Sequence, residues 1–202
     1  MVDLLPIPDA EIYYDPGFLT PEESSQWLQV LLSKCAWQRH QGPFGHPVPR
    51  DEAYYGDSGT NYTYSRRGYQ PIPWIPELLS LKSRVEQATP AAAYSNLGLP
   101  VLSYNAVLCN LYRDGNDSVG LHADAEREMG PVIGSVSLGA ERTFRLKANN
   151  GTVVWSQRLP SGSLVVMAGQ TQKRFKHEVP KEPHVTDPRI NLTFRRVVHP
   201  EN

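Results

Sequence analysis

Hydrophobic residues recur at two different periods along this chain, and the change of period divides it. After Thr20-Pro21-Glu22-Glu23, the residues Trp27, Leu28, Leu31, Leu32 and Cys35 follow at helical spacing. The start is well marked. Thr20 suits the N-cap, Pro21 the first helical position, and Glu23 completes a capping box. A second helix opens at Pro76, with Leu78, Leu79, Leu81 and Val85 inside it. Between the helices, residues 41–70 are rich in Gly, Pro and Tyr and read as long loops with short strands. From about Ser103 the pattern shortens to strands, predicted at 104–112, 119–124, 133–138, 143–147, 152–157, 163–167, 174–179 and 190–197. Turn residues separate them, among them Asp114-Gly115-Asn116, Gly139, Asn149-Asn150-Gly151 and Ser161-Gly162. Short strands at this spacing predict a β-sandwich or barrel, with the two helices covering one outer face.

Composition narrows the setting. The 202 residues allow one sizeable core, and 40% hydrophobic content is ordinary for a folded soluble protein. Apolar runs such as Leu164 to Ala168 are too short to span a bilayer, so no membrane partner is expected. Met1-Val2-Asp3-Leu4 lacks the basic segment and apolar core of a signal peptide. An intracellular location is therefore expected, nuclear in a eukaryote and cytoplasmic in a bacterium, and a monomer is expected. Cys35 and Cys109 are the two cysteines, one in a predicted helix and one in a predicted strand, and read as buried free thiols. A net charge of −1 gives no global attraction for nucleic acid. Binding of that kind would rest on local clusters: Arg66-Arg67, Arg142 with Arg145 and Lys147, and Lys173-Arg174 with Lys176. Each of these is equally a solvated surface.

Three strand segments carry candidate chemistry. In His122-Ala123-Asp124, alternate side chains of a strand share a face, which brings an imidazole and a carboxylate together. His177 supplies a second imidazole from a distant strand. Two histidines and one carboxylate form the facial triad of non-haem Fe(II) oxygenases, which leaves positions open for a bidentate co-substrate and O2. His-x-Asp alone is a weak signal. The run Arg189-Ile190-Asn191-Leu192-Thr193-Phe194-Arg195 alternates strictly. Its polar face, Arg189, Asn191, Thr193 and Arg195, is either a solvated surface or a site for a dicarboxylate, since guanidinium forks pair with carboxylates bidentately. Asn110-Leu111-Tyr112 also alternates, and its amide and phenol either pack or extend such a site.

At this point the chain resembles the AlkB-type dioxygenases, and within them the homologues that repair alkylated DNA. The resemblance runs from about Phe44 to Val197. It is carried by Val48-Pro49-Arg50, Tyr55-Gly56-Asp57, Tyr62-Thr63-Tyr64-Ser65, Asn110-Leu111-Tyr112-Arg113-Asp114-Gly115, His122-Ala123-Asp124-Ala125-Glu126, Ser135-Val136-Ser137-Leu138-Gly139-Ala140, Lys176-His177 with Val179-Pro180-Lys181, and Asn191-Leu192-Thr193-Phe194-Arg195 after Arg189. Several of these are weak singly; their order and spacing together are specific. The resemblance implies an α+β, mostly β fold: a double-stranded β-helix (jelly-roll) barrel with the N-terminal helices on one outer face. It implies one dioxygenase domain over residues 1–202, with helices and a nucleotide-recognition lid in 1–102 and the catalytic core in 103–198. Fe(II), 2-oxoglutarate and O2 would be its cofactors. His122, Asp124 and His177 would be the iron ligands. Arg189 would grip the distal carboxylate of 2-oxoglutarate and Arg195 would sit near its chelating end, with Asn110, Tyr112, Asn191 and Thr193 as further anchors. The polar face of the last strand would then point into the barrel.

The same resemblance implies a substrate. Such enzymes oxidise methyl groups on base nitrogens, chiefly in 1-methyladenine and 3-methylcytosine. 2-Oxoglutarate goes to succinate and CO2, and the methyl leaves as formaldehyde. The base must first leave the stack. Tyr64 would stack on it opposite His122, with Tyr62 and Ser65 in the same lid segment. Glu126 would contact the exocyclic amine, Arg142 would line the pocket, and Phe44 would serve as a finger filling the vacated stack. Ala125 stands where relatives often carry a first acid, a departure that bears on substrate preference. DNA is the expected partner, with RNA or protein as an alternative target. A jelly-roll metal-binding module without catalysis is the reading from another class, and the paired arginines argue against it.

Overall fold

The structure is a computed structural model and describes residues 2–42, 45–64, 67–95, 98 and 101–198, with Tyr64 and Arg67 described by their backbone. In chain order the elements are β1 (Asp3–Leu4), β2 (Glu11–Asp15), α1 (Pro21–Lys34), β3 (Asp51–Gly56), β4 (Tyr62–Tyr64), β5 (Arg67–Tyr69), α2 (Pro76–Ala88), α3 (Ala92–Ser95), β6 (Ala106–Tyr112), β7 (Val119–His122), β8 (Ile133–Gly139), β9 (Arg142–Ala148), β10 (Val153–Leu159), β11 (Leu164–Ala168), α4 (Thr171–Arg174), β12 (Phe175–Val179) and β13 (Arg189–Arg195).

The start of α1 follows from its sequence. The Thr20 hydroxyl accepts from the Glu23 N–H at 3.2 Å, and the Glu23 carboxylate accepts from the Thr20 N–H at 2.9 Å. Two N–H groups that would otherwise lack partners are satisfied in this way. Glu23 also accepts from Arg84 of α2 at 2.8 Å, which ties the two helices together.

Strands β6 to β13 build two facing sheets. One runs β1-β2-β11-β8-β13-β6-β3 and the other β10-β9-β12-β7. Successive strands alternate between the sheets except at the β9–β10 hairpin, which is the path of a jelly roll. The alternation seen in the sequence sorts the faces of β13. Ile190, Leu192 and Phe194 are fully buried and belong to the core that holds Leu31 of α1 and Leu78, Leu81 and Val85 of α2. Gly134 in β8 lets α2 approach the sheet, because a Cβ there would lie 2.6 Å from Val85. The barrel interior is apolar at one end, with Ile133, Leu146, Leu159, Val165 and Phe175 in its second core. That packing leaves the other end for polar groups.

Three features differ from the sequence-based expectation. Residues 3–15 add β1 and β2 to the edge of the larger sheet, and β3, in the stretch expected as long loops with short strands, joins the same sheet alongside β6. Glu11-Ile12-Tyr13-Tyr14-Asp15 shows no clean alternation, and neighbouring strands that cover it fix its state. Strand β7 ends at His122, so Asp124 lies beyond it. No helix among the described residues is long and apolar enough to cross a membrane.

Candidate active site

Strands β7 and β12 pair so that His122 and His177 stand directly opposite each other. Their ring centroids are 4.3 Å apart. Asp124 joins them by a route other than strand alternation. Its N–H donates to the Gln172 side-chain oxygen at 3.0 Å, so α4 fixes the turn that follows β7. Its two carboxylate oxygens then lie 3.9 Å from Nε2 of His122 and 3.9 Å from Nε2 of His177. One ligand atom from each of the three residues falls within 4.8 Å of the others, and the group can hold a metal ion. His122 Nδ1 lies 2.9 Å from the Gly120 carbonyl, which as a donor contact leaves Nε2 with its lone pair toward the group.

Electrostatics keep these groups in ligating form. Burial would raise the Asp124 carboxyl, but Arg195, then His122, His177 and Arg50, hold it at about 2. Burial, then His122, depress the His177 imidazole to about 3 against the pull of Asp124. A carboxylate and a neutral imidazole are what a metal needs. A pH dependence follows for the metal-free protein. A base whose folded pKa is depressed resists the proton that the unfolded chain takes up. Stability should therefore be full above about pH 6.5 and fall as pH drops from there toward 3, by up to about 1.4 kcal/mol per pH unit. Asp124 works in a lower window: its stabilisation is present above its unfolded pKa and is lost as pH falls through about 2. Thermal melts from pH 8 to 5 should decline, and His177→Gln should flatten that decline. An equal slope in both proteins would refute the assignment to His177.

The co-substrate candidates come together on the neighbouring sheet. Register places Arg189 opposite Tyr112 and Asn191 opposite Asn110, with Ser135 and Ser137 of β8 on the other side of β13. Asn110, Tyr112, Arg189, Asn191, Thr193 and Arg195 all line one cavity with the three metal-binding residues and Tyr62. Arg189 is 1% exposed. One of its terminal nitrogens donates to the Ser137 hydroxyl at 2.9 Å, while Nε and Nη1 are buried with no hydrogen-bond partner among the described residues. Its guanidinium carbon lies 5.2 Å from the Tyr112 ring centre. Among the described residues no carboxylate pairs with it. A buried cation with spare donors fits a carboxylate ligand, because leaving those donors unmet is costly. Arg195 is also buried, with Nη2 at 3.5 Å from Asp124 Oδ2 and Nε without a partner among the described residues. Both the iron and the dicarboxylate therefore find suitable residues.

The substrate-side candidates scatter. Tyr62 is buried, stacked on Tyr69 at 4.8 Å and beneath Arg195 at 5.7 Å. Tyr64 belongs to β4 by its backbone, but its side chain lies outside the described residues, as do Ser65 and Phe44. Glu126 is not in the cavity lining; one carboxylate oxygen is buried without a partner among the described residues, and burial raises its pKa. Arg142 is corrected. Instead of lining the pocket, its guanidinium donates to Glu182 and to the carbonyls of Asp114, Asp117 and Pro180. It sits at the start of β9 and ties the connection between β6 and β7 to that between β12 and β13. The sequence reading assigned no role to Ser135, Ser137, Gln172 or Arg50. Alternation in Ser135-Val136-Ser137-Leu138 was the available signal for the serines. A lone glutamine in a short turn carries none, and Arg50 stands in the Val48-Pro49-Arg50 motif with no local pattern to give it a role.

Comparison with known proteins agrees with this geometry. Residues 11–195 match the family described as the 2OG-Fe(II) oxygenase superfamily. The chain is 38% identical over 211 residues to alpha-ketoglutarate-dependent dioxygenase alkB homolog 3 of Mus musculus, covering 97% of this chain and 69% of that one. It is 40% identical over 163 residues to DNA oxidative demethylase ALKBH2 of Homo sapiens, covering 76% of this chain and 58% of that one. The solved structure of OsALKBH1 superposes with a TM-score of 0.69 at 20% identity, covering 97% of this chain and 100% of that one, a likeness of fold. The chain belongs to the 2OG-Fe(II) oxygenase superfamily and is an Fe(II)- and 2-oxoglutarate-dependent dioxygenase that uses O2. Within that superfamily it stands with the AlkB homologues.

Proposed function

We propose that this dioxygenase removes methyl groups from base nitrogens in DNA, with 1-methyladenine and 3-methylcytosine as lesions and formaldehyde as a product. The observation that carries the reading is the position of Tyr62: an aromatic residue of the β4–β5 hairpin walls the same cavity as His122, Asp124 and His177. The names of its relatives support it, since ALKBH2 of several mammals is a DNA oxidative demethylase. The chain acts as one domain and a monomer inside the cell, with the hairpin region as its lid.

Bound iron supplies O2-dependent oxidation coupled to decarboxylation of 2-oxoglutarate to succinate. His122, Asp124 and His177 hold the metal. Arg189 anchors the distal carboxylate of the co-substrate, and Asn110, Tyr112, Asn191, Thr193 and Arg195 orient the rest. Tyr64 offers the ring against a flipped base, Tyr62 and Ser65 belong to the same segment, and Glu126, from outside the lining of the metal cavity, would meet the exocyclic amine. Incubation with 2-oxoglutarate and methylated oligonucleotides, DNA against RNA, tests the reading through formaldehyde release. Turnover on RNA alone, or succinate without any oxidised base, would overturn it.

Two substitutions separate pocket from finger. Tyr64→Ala removes the stacking platform and should weaken both single- and double-stranded substrates, by roughly 1–3 kcal/mol. Phe44→Ala should reduce activity on duplex alone, because unstacking costs a few kcal/mol that a single strand largely avoids. The paired assay uses one methylated base in both strand states. Equal losses for Phe44→Ala would remove its role as a finger.

A further inference from the structure

A line of buried polar contacts joins the β4–β5 hairpin to the co-substrate side of the cavity. The Tyr69 hydroxyl of β5 donates to Glu52 Oε2 at 3.0 Å. Glu52 Oε1 lies 2.7 Å from Arg50 Nη2. Arg50 Nε donates to Asn110 Oδ1 at 2.8 Å, and Nη1 reaches the Ser118 carbonyl at 3.4 Å. Glu52 is 2% exposed, and its position in β3 is directly opposite Asn110 in β6.

The chemistry of an amide gives this line a purpose. Asn110 has an accepting end and a donating end, and arginine only donates. With Arg50 beside it, the amide must turn its oxygen to the guanidinium, which leaves its NH2 for the cavity that Asn110 lines. A carboxylate ligand can use that NH2 and would be repelled by the oxygen. A buried ion pair adds little to stability over an apolar pair of the same size, so packing alone does not call for Glu52 and Arg50. The hairpin end of the line is anchored by rings: Tyr69 stacks on Tyr62, and both meet Tyr54 edge-on at 5.9 and 5.1 Å. A shift of the hairpin therefore moves the hydroxyl that holds Glu52.

We propose that Glu52 and Arg50 are positioning residues for 2-oxoglutarate, setting the orientation of the Asn110 amide, and that Tyr69 couples this setting to the seating of the β4–β5 hairpin. The inference rests on Asn110 being part of the co-substrate cradle.

The test is calorimetric binding of 2-oxoglutarate to protein loaded with Mn(II) without oxygen, so that no turnover is needed. Glu52→Gln should weaken 2-oxoglutarate about tenfold while Mn(II) affinity stays close to wild type, and its melting temperature should fall because the buried Arg50 loses its carboxylate. Arg50→Lys keeps the charge beside Glu52 but loses the fork, and should weaken it similarly. It serves where Glu52→Gln folds poorly. A lower melting temperature with unchanged 2-oxoglutarate affinity would mean a merely structural pair and would overturn the positioning role. For the hairpin, saturating 2-oxoglutarate should slow tryptic cleavage between residues 60 and 70 severalfold in wild type, by linkage. Tyr69→Phe should abolish that protection. Equal protection in the two proteins, or none in wild type, would overturn the coupling. Neither measurement uses nucleic acid, so a wrong substrate reading would fail separately, in the oligonucleotide assay.

Discussion

His122→Ala and Asp124→Ala should both release no succinate from 2-oxoglutarate, yet they should differ in stability. Each removes one of three protein ligands, and among the described residues no other His, Cys, Asp or Glu joins that group to replace either. The His122 side chain is 18% exposed and its ring makes a local bond to Gly120, so truncation leaves little behind. Asp124 is buried against Arg195 and holds its guanidinium well above the ordinary arginine range, against the desolvation that opposes it. Removing that carboxylate strands a buried cation, a change that costs about 3–5 kcal/mol in buried pairs. His122→Ala should therefore melt near wild type and bind iron poorly. Asp124→Ala should melt well below wild type, and metal should not rescue it. Iron content, succinate release and thermal melts on the same preparations decide the matter. Substantial succinate release by His122→Ala with iron bound would end the assignment of the triad.

The parts of the site that were legible in the sequence are those on regular strands. In β13 the strict alternation from Arg189 to Arg195 announced a polar and an apolar face, though it could not say which faced inward. Packing against α1 and α2 decides that, because Ile190, Leu192 and Phe194 have helices to meet. In β6, Asn110 and Tyr112 were legible for the same reason. Where the backbone leaves a strand, the signal fails. Asp124 shares a site with His122 through a turn fixed by Gln172, a residue 48 positions later in a four-residue helix. Arg142 is a pocket residue only by the family resemblance, as a position often basic in relatives. Its real partners, Glu182 and three carbonyls, come from two loops that no local pattern brings together. Strand β3 was obscure because its partner β6 lies some 50 residues away, and Glu52 has meaning only once that pairing exists.

Replacing Arg189 should move stability and co-substrate binding in opposite directions. The guanidinium is 1% exposed, and burial lowers its pKa, so its charge costs free energy in the absence of a ligand. Its side chain donates to an uncharged hydroxyl, that of Ser137, and two of its nitrogens have no partner among the described residues. Arg189→Met removes the unmet charge and keeps most of the volume. Such replacements of buried charge are often neutral or stabilising by about 1–4 kcal/mol. The metal-free variant should therefore melt at or above the wild-type temperature. Its affinity for 2-oxoglutarate should collapse, because the distal carboxylate would enter the cavity with no cation to meet it. Arg189→Lys is the graded case. A point charge replaces a fork, and the loss should be on the order of 1.5–3 kcal/mol, roughly ten- to 150-fold in affinity. Calorimetry with 2-oxoglutarate on Mn(II)-loaded protein, beside melts of the same variants, reads both quantities. Should Arg189→Met melt far below wild type while still binding 2-oxoglutarate normally, Arg189 would be a structural residue and the anchor would lie elsewhere in the cavity.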